Sequence, residues 1–170
     1  MKILGAYPKT RLRRVRNSDW IRRLVSESNL SHNDLILPLF VKEGNNSKEE
    51  IKSMPGVYRY SIDKLYKTIE SACKLRIPLI ALFPYTPKNK KDKDGTEALN
   101  KNNLICESVR NIKKRFNNIG VMCDVALDPY TINGHDGIFK NNDVHNDKTI
   151  SVLINQSIIQ AQSGCDIIAP

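Results

Sequence analysis

The stretch DVALDPYTINGHDG, residues 124–137, places Asp124, Asp128, His135 and Asp136 within thirteen positions. Gly134 and Gly137 let the backbone turn tightly around them. Three carboxylates at one mouth can bind Mg²⁺ through hard oxygen ligands. They can equally hold a cationic group or orient a basic nucleophile. The same composition also makes a plain turn, because Asp, Asn and Gly are the residues that turns use. His135, alone beside glycines, reads first as a structural hydrogen-bonder.

The other chemistry-bearing residues are more dispersed. Cys73, Cys106, Cys123 and Cys165 form no C-x-x-C pair, and the closest two are 17 positions apart. They read as buried free thiols of a reducing compartment rather than a disulfide or zinc framework. No glycine-rich dinucleotide or P-loop fingerprint follows any expected strand, which removes a nucleotide-binding reading.

The elements that must carry these residues follow from the apolar pattern. LILPLFV (35–41), IPLIALFP (77–84), GVMCDVAL (120–127) and CDIIAP (165–170) are short apolar runs, the signature of buried strands. Between them, residues 61–75, 103–116 and 147–162 repeat apolar side chains every three or four positions, which predicts helices. Gly164 stands where the last of these should stop. An earlier helix is expected at 18–28, with Ser18 as N-cap and Trp20, Ile21, Leu24 and Val25 on one face. Strands apolar on both faces and separated by helices pair in parallel. The polar clusters KEGNN, YTPKNKKDKDG and DPYTINGHDG each follow a strand, which favours a β/α barrel, where chemistry gathers at the carboxyl ends of strands.

Composition bounds the partners. The 170 residues are 40% hydrophobic, enough for a sizeable core. No run reaches the ~20 apolar residues of a membrane helix, and the start lacks a signal-peptide pattern. The expected location is therefore the cytoplasm, without membrane contact. The net charge is +9, which permits a polyanionic partner without showing one. Lys, Asn and Ile make up 53 of the 170 residues, and their AT-rich codons account for part of that charge. A basic module resting on Arg11, Arg13, Arg14, Arg16, Arg22 and Arg23 lacks interleaved aromatics and any DNA-reading motif, so no nucleic-acid partner is expected.

At the aspartate-rich loop the sequence resembles the porphobilinogen synthase (5-aminolevulinate dehydratase) family. LPLFVKEG (37–44), SMPGVYRYSID (53–63), LFP (82–84) with DGTEALN (94–100), and the run from Asn146 through CDIIAP share the resemblance. It covers nearly the whole chain in order. It implies a lyase with a TIM (β/α)8 barrel that joins two 5-aminolevulinate molecules into porphobilinogen, losing two waters, in haem and other tetrapyrrole synthesis. It also implies an N-terminal arm that embraces a neighbour in a homo-octamer. On this reading residues 1–30 are the arm and a short helix, and residues 31–170 are the first four β/α units.

The resemblance sorts the site residues too. Zinc-dependent relatives carry cysteines at the positions of Ala126, Asp128 and Asp136. The carboxylates here imply Mg²⁺ held by Asp128 and Asp136, or no metal, and make zinc unexpected. Asp124 matches an aspartate near the substrate amino group and the lysines. Those two lysines form Schiff bases, and the family carries them beyond the position of Pro170; Lys42, Lys88 and Lys93 match neither. The chain alone is thus expected to be an inactive fragment of the enzyme. The alternative is a non-catalytic, degenerate half-chain or a partner that completes a barrel with another polypeptide.

Overall fold

The computed structural model describes residues 5–140 and 143–170. The first four residues of the expected arm, and residues 141–142, lie outside the described residues. The chain divides into two compact units, one ending at Ser31 and the other running from His32 to Pro170.

The first unit holds a 3₁₀ turn, Arg14–Arg16, and one short helix, α1 (Asp19–Leu24). Ser18 occupies the N-cap position with extended backbone, but its side chain makes no capping hydrogen bond. Asp19 instead pairs with Arg22 and Arg23 at 3.5 and 3.2 Å. The helix is shorter than the pattern predicted, and no residue of it is buried.

In the second unit the chain runs β1 (Ile36–Lys42), β2 (Lys48–Glu50), β3 (Tyr58–Tyr60), α2 (Ile62–Lys74) and β4 (Leu79–Tyr85). It continues through α3 (Leu104–Arg115), β5 (Gly120–Asp124), the strand pair β6 (Phe139–Lys140) and β7 (Asp143–Val144), α4 (Asn146–Gln162) and β8 (Ile167–Ala169). The main sheet has the order β2-β3-β1-β4-β5-β8. β1, β4, β5 and β8 pair in parallel, and β1 matches β4 from Ile36↔Leu79 to Lys42↔Tyr85. These four are the expected strands, each connected to the next through a helix.

Alternation along the strands sorts the two faces. Leu39, Val41, Ile80, Leu82, Val121 and Cys123 are buried against Leu65 and Ile69 of α2 and Ile105, Val109 and Ile112 of α3. Phe40 and Phe83 share the opposite face, their rings 5.6 Å apart; there Ile36 and Tyr85 stay exposed. The helices therefore cover one face of the sheet only. Asn103 starts α3 by accepting from the Cys106 amide, and His145 Nδ1 starts α4 by accepting from the Lys148 amide at 3.3 Å. Gly164 ends α4 at φ +99°, as the pattern required.

Three local differences bear on the site. The strand expected over 120–127 leaves the ladder at Asp124, because Tyr130 and Thr131 turn back onto the Leu127 carbonyl. The last strand starts at Ile167, after the Asp166 carboxylate has accepted from the Val121 amide and Lys113. β3 was not evident from the pattern, since three residues are too few to show a period. It pairs with the carboxyl half of β1 through Phe40↔Arg59 and Val41↔Tyr60. It thus covers part of an edge that a sheet of the four expected strands would leave open.

Candidate active site

The carboxyl ends of β1, β4 and β5 surround a cavity of about 330 Å³. Asp124 and Asp128 line it, together with Phe40, Phe83, Tyr85 and Arg59. Although the ladder stops at Asp124, burial keeps alternating through residue 128. Val125 and Leu127 are buried, while Asp124, Ala126 and Asp128 stay half-buried on the other side. The even spacing therefore puts both carboxylates on one face.

Two fastenings hold this extension after it leaves the sheet. Leu127, Tyr130 and Ile138 pack with Ala98, Val152 and Leu153 in a small second core. In addition, Gln160 Nε2 donates to the Asp124 carbonyl at 2.9 Å and Gln156 Nε2 to the Ala126 carbonyl at 3.2 Å. Both glutamines are fully buried on α4, and their Oε1 atoms have no hydrogen-bond partner among the described residues. Leaving buried acceptors unpaired is costly; what the pair gains in return is the two donor bonds to the extension. Sequence reasoning missed both. Their signal was a polar pair at i, i+4 beside Val152 and Ile159, the positions that face the core.

The loop beyond is a built turn as well as a carboxylate cluster. Asn133 Oδ1 accepts from the His135 amide at 3.4 Å, and Thr131 Oγ1 donates to the His135 carbonyl. Gly137 is required by space: a Cβ there would lie 2.6 Å from Val144 Cγ1. The His135 ring is exposed and lies 5.4 Å from that of Phe139. Asp136 is exposed, whereas Asp124 and Asp128 are partly sheltered. Burial, then the charges of Asp128 and Asp136, push the Asp124 carboxyl above the ordinary range. Burial, then the Asp136 charge, do the same to Asp128, and a hydrogen bond with Asp136 adds to it; Lys91 opposes. The three carboxylates thus feel one another.

Burial, with the Asp136 charge behind it, has a consequence for stability. The Asp128 carboxyl titrates above its unfolded value of 3.8 in the folded chain. The folded state then holds more protons just above that pH, so stability falls as pH rises through the folded value. Asp128→Asn is expected to raise the melting temperature at neutral pH by about 2 °C and to flatten that decline. Thermal melts of both chains from about pH 4 to 7 check it; a lower melting point at neutral pH would contradict the assignment.

The donor chemistry of the loop separates candidate ions. Among the described residues, no three His, Cys, Asp or Glu side chains stand together as a ready ligand set. Two adjacent carboxylates suit an ion that brings most of its ligands as water. They do not make a closed zinc site. Cys123 is no donor to the loop, for it points into the core between sheet and helices, where burial pushes its thiol well up. Cys165 packs beside the same core, and all four cysteines are free. Among strand-end cations, Lys42 Nζ is paired with Glu49, which also accepts from Arg59 at 3.2 Å. Arg11, Arg13, Arg14 and Arg16 line a separate hollow within the first unit. No helix among the described residues is long and apolar enough to cross a membrane.

Comparison with known proteins agrees with this geometry. The family model described as delta-aminolevulinic acid dehydratase matches residues 9–170. A delta-aminolevulinic acid dehydratase of Bradyrhizobium diazoefficiens is 54% identical over 160 residues, 94% of this chain and 45% of that protein. One of Chlamydia pneumoniae is 46% identical, over 94% of this chain and 48% of its own length. Among solved structures, the Toxoplasma gondii delta-aminolevulinic acid dehydratase (porphobilinogen synthase) in complex with porphobilinogen matches with a TM-score of 0.88 and 34% identity. That match covers 94% of this chain and 46% of the other. The chain spans about half the length of the curated relatives it matches. Its four parallel strands and their helices match about half of that TIM-barrel enzyme. With a family match over nearly every residue and the aspartate loop at the carboxyl ends of the strands, the chain belongs to the delta-aminolevulinic acid dehydratase family.

Proposed function

We propose that the full natural polypeptide carrying this segment condenses two 5-aminolevulinate molecules into porphobilinogen with loss of two waters. The observation that carries the reading is the carboxylate group Asp124, Asp128 and Asp136, of which the first two line the cavity at the strand ends. The substrate presents an ammonium, a ketone and a carboxylate. Asp124, half-buried in the cavity that Phe83 and Tyr85 also line, in this reading accepts from the substrate's ammonium and takes up its proton as the amine becomes a nucleophile. Its raised carboxyl suits that exchange. The family resemblance assigns iminium formation to two lysines elsewhere in the barrel, outside these 170 residues.

Asp128 and Asp136 would hold one Mg²⁺, largely through its water, and the ion would supply charge for orienting the substrate amine. The first unit, with its exposed Tyr7, Leu12 and Trp20, serves in this reading as an arm that packs on another copy in a homo-oligomer, an octamer as the resemblance implies.

The test is pyrrole formation from 5-aminolevulinate by the purified full polypeptide, stripped of metal and resupplied with Mg²⁺, Zn²⁺ or neither. Activity is expected without any requirement for Zn²⁺, with Mg²⁺ neutral or stimulating. Absence of pyrrole under all three conditions would sink the activity. Restoration by Zn²⁺ alone would sink the reading of the donor set.

A further inference from the structure

One helix grips the aspartate loop at both ends. At the loop's entry, Gln160 Nε2 donates to the Asp124 carbonyl at 2.9 Å and Gln156 Nε2 to the Ala126 carbonyl at 3.2 Å. At its exit, Thr149 Oγ1 accepts from the Ile138 amide at 2.9 Å, and the His145 amide donates to the Ile138 carbonyl at 2.8 Å. Thr149 Oγ1 also donates to the His145 carbonyl, one turn back, which restrains its rotamer. Positions 149, 156 and 160 stand seven and four apart, so all three fall on one face of α4. All three are buried there. Between the first two along the helix, Val152 and Leu153 pack on the second core of Leu127, Tyr130 and Ile138.

This grip begins where the sheet's ends. The pairing of β5 with β4 stops at Cys123, and its pairing with β8 stops at Asp124. Beyond that point the Val125 amide still donates to the Ala169 carbonyl at 2.9 Å, and the glutamines hold the carbonyls on either side. A fixed carbonyl fixes its peptide plane, and with it the direction in which the same residue's side chain leaves the backbone. Ala126 lies midway between Asp124 and Asp128, so holding it keeps the alternation that puts both carboxylates in the cavity. An apolar side chain at 156 or 160 would pack without the cost of the Oε1 atoms left unpartnered among the described residues. Packing alone thus does not account for the glutamines. We propose that Thr149, Gln156 and Gln160 are positioning residues, a polar stripe of α4 that sets where the Asp124 and Asp128 carboxylates stand in the cavity. For catalysis this rests on the proposed function; the grip itself does not.

The experiment compares the full natural polypeptide with Gln160→Met, Gln160→Leu, Gln156→Met and Thr149→Val, each close in volume to the residue replaced. Hydrogen exchange read by mass spectrometry should be roughly three- to ten-fold faster in peptides spanning 124–131 for the glutamine variants, and around Ile138 for Thr149→Val. Peptides from β1 and β4 should exchange as in the parent. In pyrrole formation, Gln160→Met and Gln160→Leu are expected to lower kcat roughly ten- to hundred-fold. In an Asp124→Asn background the same changes should cost less than about two-fold, because the group they aim is gone. A general structural defect would instead multiply the loss in that background, and that result overturns the proposal. Unchanged exchange in the folded variants overturns it whatever the turnover, as does an unchanged kcat in the Gln160 variants of an active parent. Melting points identify a variant that fails to fold, and the others then decide. A parent that forms no pyrrole sinks the proposed function, and exchange alone then decides whether α4 holds the loop.

Discussion

A polypeptide of residues 1–170 by itself is expected to make no porphobilinogen and to gain no mass when treated with 5-aminolevulinate and sodium borohydride. The reaction needs an amine free to attack a ketone, and deleting a covalent nucleophile removes the path instead of slowing it. The lysines near the cavity are engaged otherwise. Lys42 is ion-paired with Glu49, Lys90 with Glu43 and Glu97, and Lys91 donates to the Asp128 carbonyl. No carboxylate of the loop can stand in for them as an amine. The sheet face that carries the cavity is also uncovered by helices, with Ile36, Tyr85 and Ile167 exposed. Such a surface favours association over a single closed site. Intact mass spectrometry decides the matter. One stoichiometric adduct on a single lysine, together with pyrrole, would show that the chemistry resides in these residues after all.

Asp124→Asn in the full natural polypeptide is expected to lower kcat by about 10²- to 10⁴-fold, the range for a positioned acid or base. The fold should survive, because Asn keeps the shape and the contact with Gln160 uses the Asp124 backbone carbonyl, not the carboxylate. Losing a charge that Asp128 and Asp136 repel should, if anything, stabilise the loop. An unchanged circular dichroism spectrum with collapsed kcat is therefore the expected pair of results. A loss below about three-fold would place Asp124 outside the proton path.

The sequence by itself determined the alternation of elements and the residue types of the loop. Short apolar runs separated by three- and four-residue periods have one economical solution, a parallel sheet with helical crossovers, and 36–42, 79–85, 120–124 and 167–169 are its strands. The motifs in DVALDPYTINGHDG likewise carried the family without any geometry. What they left open was whether the loop is a turn or a carboxylate cluster. The structure shows one segment that is both, since Asn133 and Gly137 close the turn while Asp124 and Asp128 stay on one face.

Other features were decided only by tertiary packing. In α4, Ile150, Ile154 and Ile158 look from the pattern like a core stripe, yet they are about half exposed, and Gln156 and Gln160 are buried. Periodicity shows that a helix has an apolar face, but not which face the sheet will meet. Here the carbonyls of Asp124 and Ala126, freed where β5 leaves the ladder, select the glutamines. Lys91 is one lysine among many in a polar loop, and nothing local marks it. It reaches the Asp128 carbonyl because Asp92 hydrogen-bonds to residues 130–132, nearly forty positions along the chain. Contacts over such separations depend on how layers stack, and local spacing does not encode them.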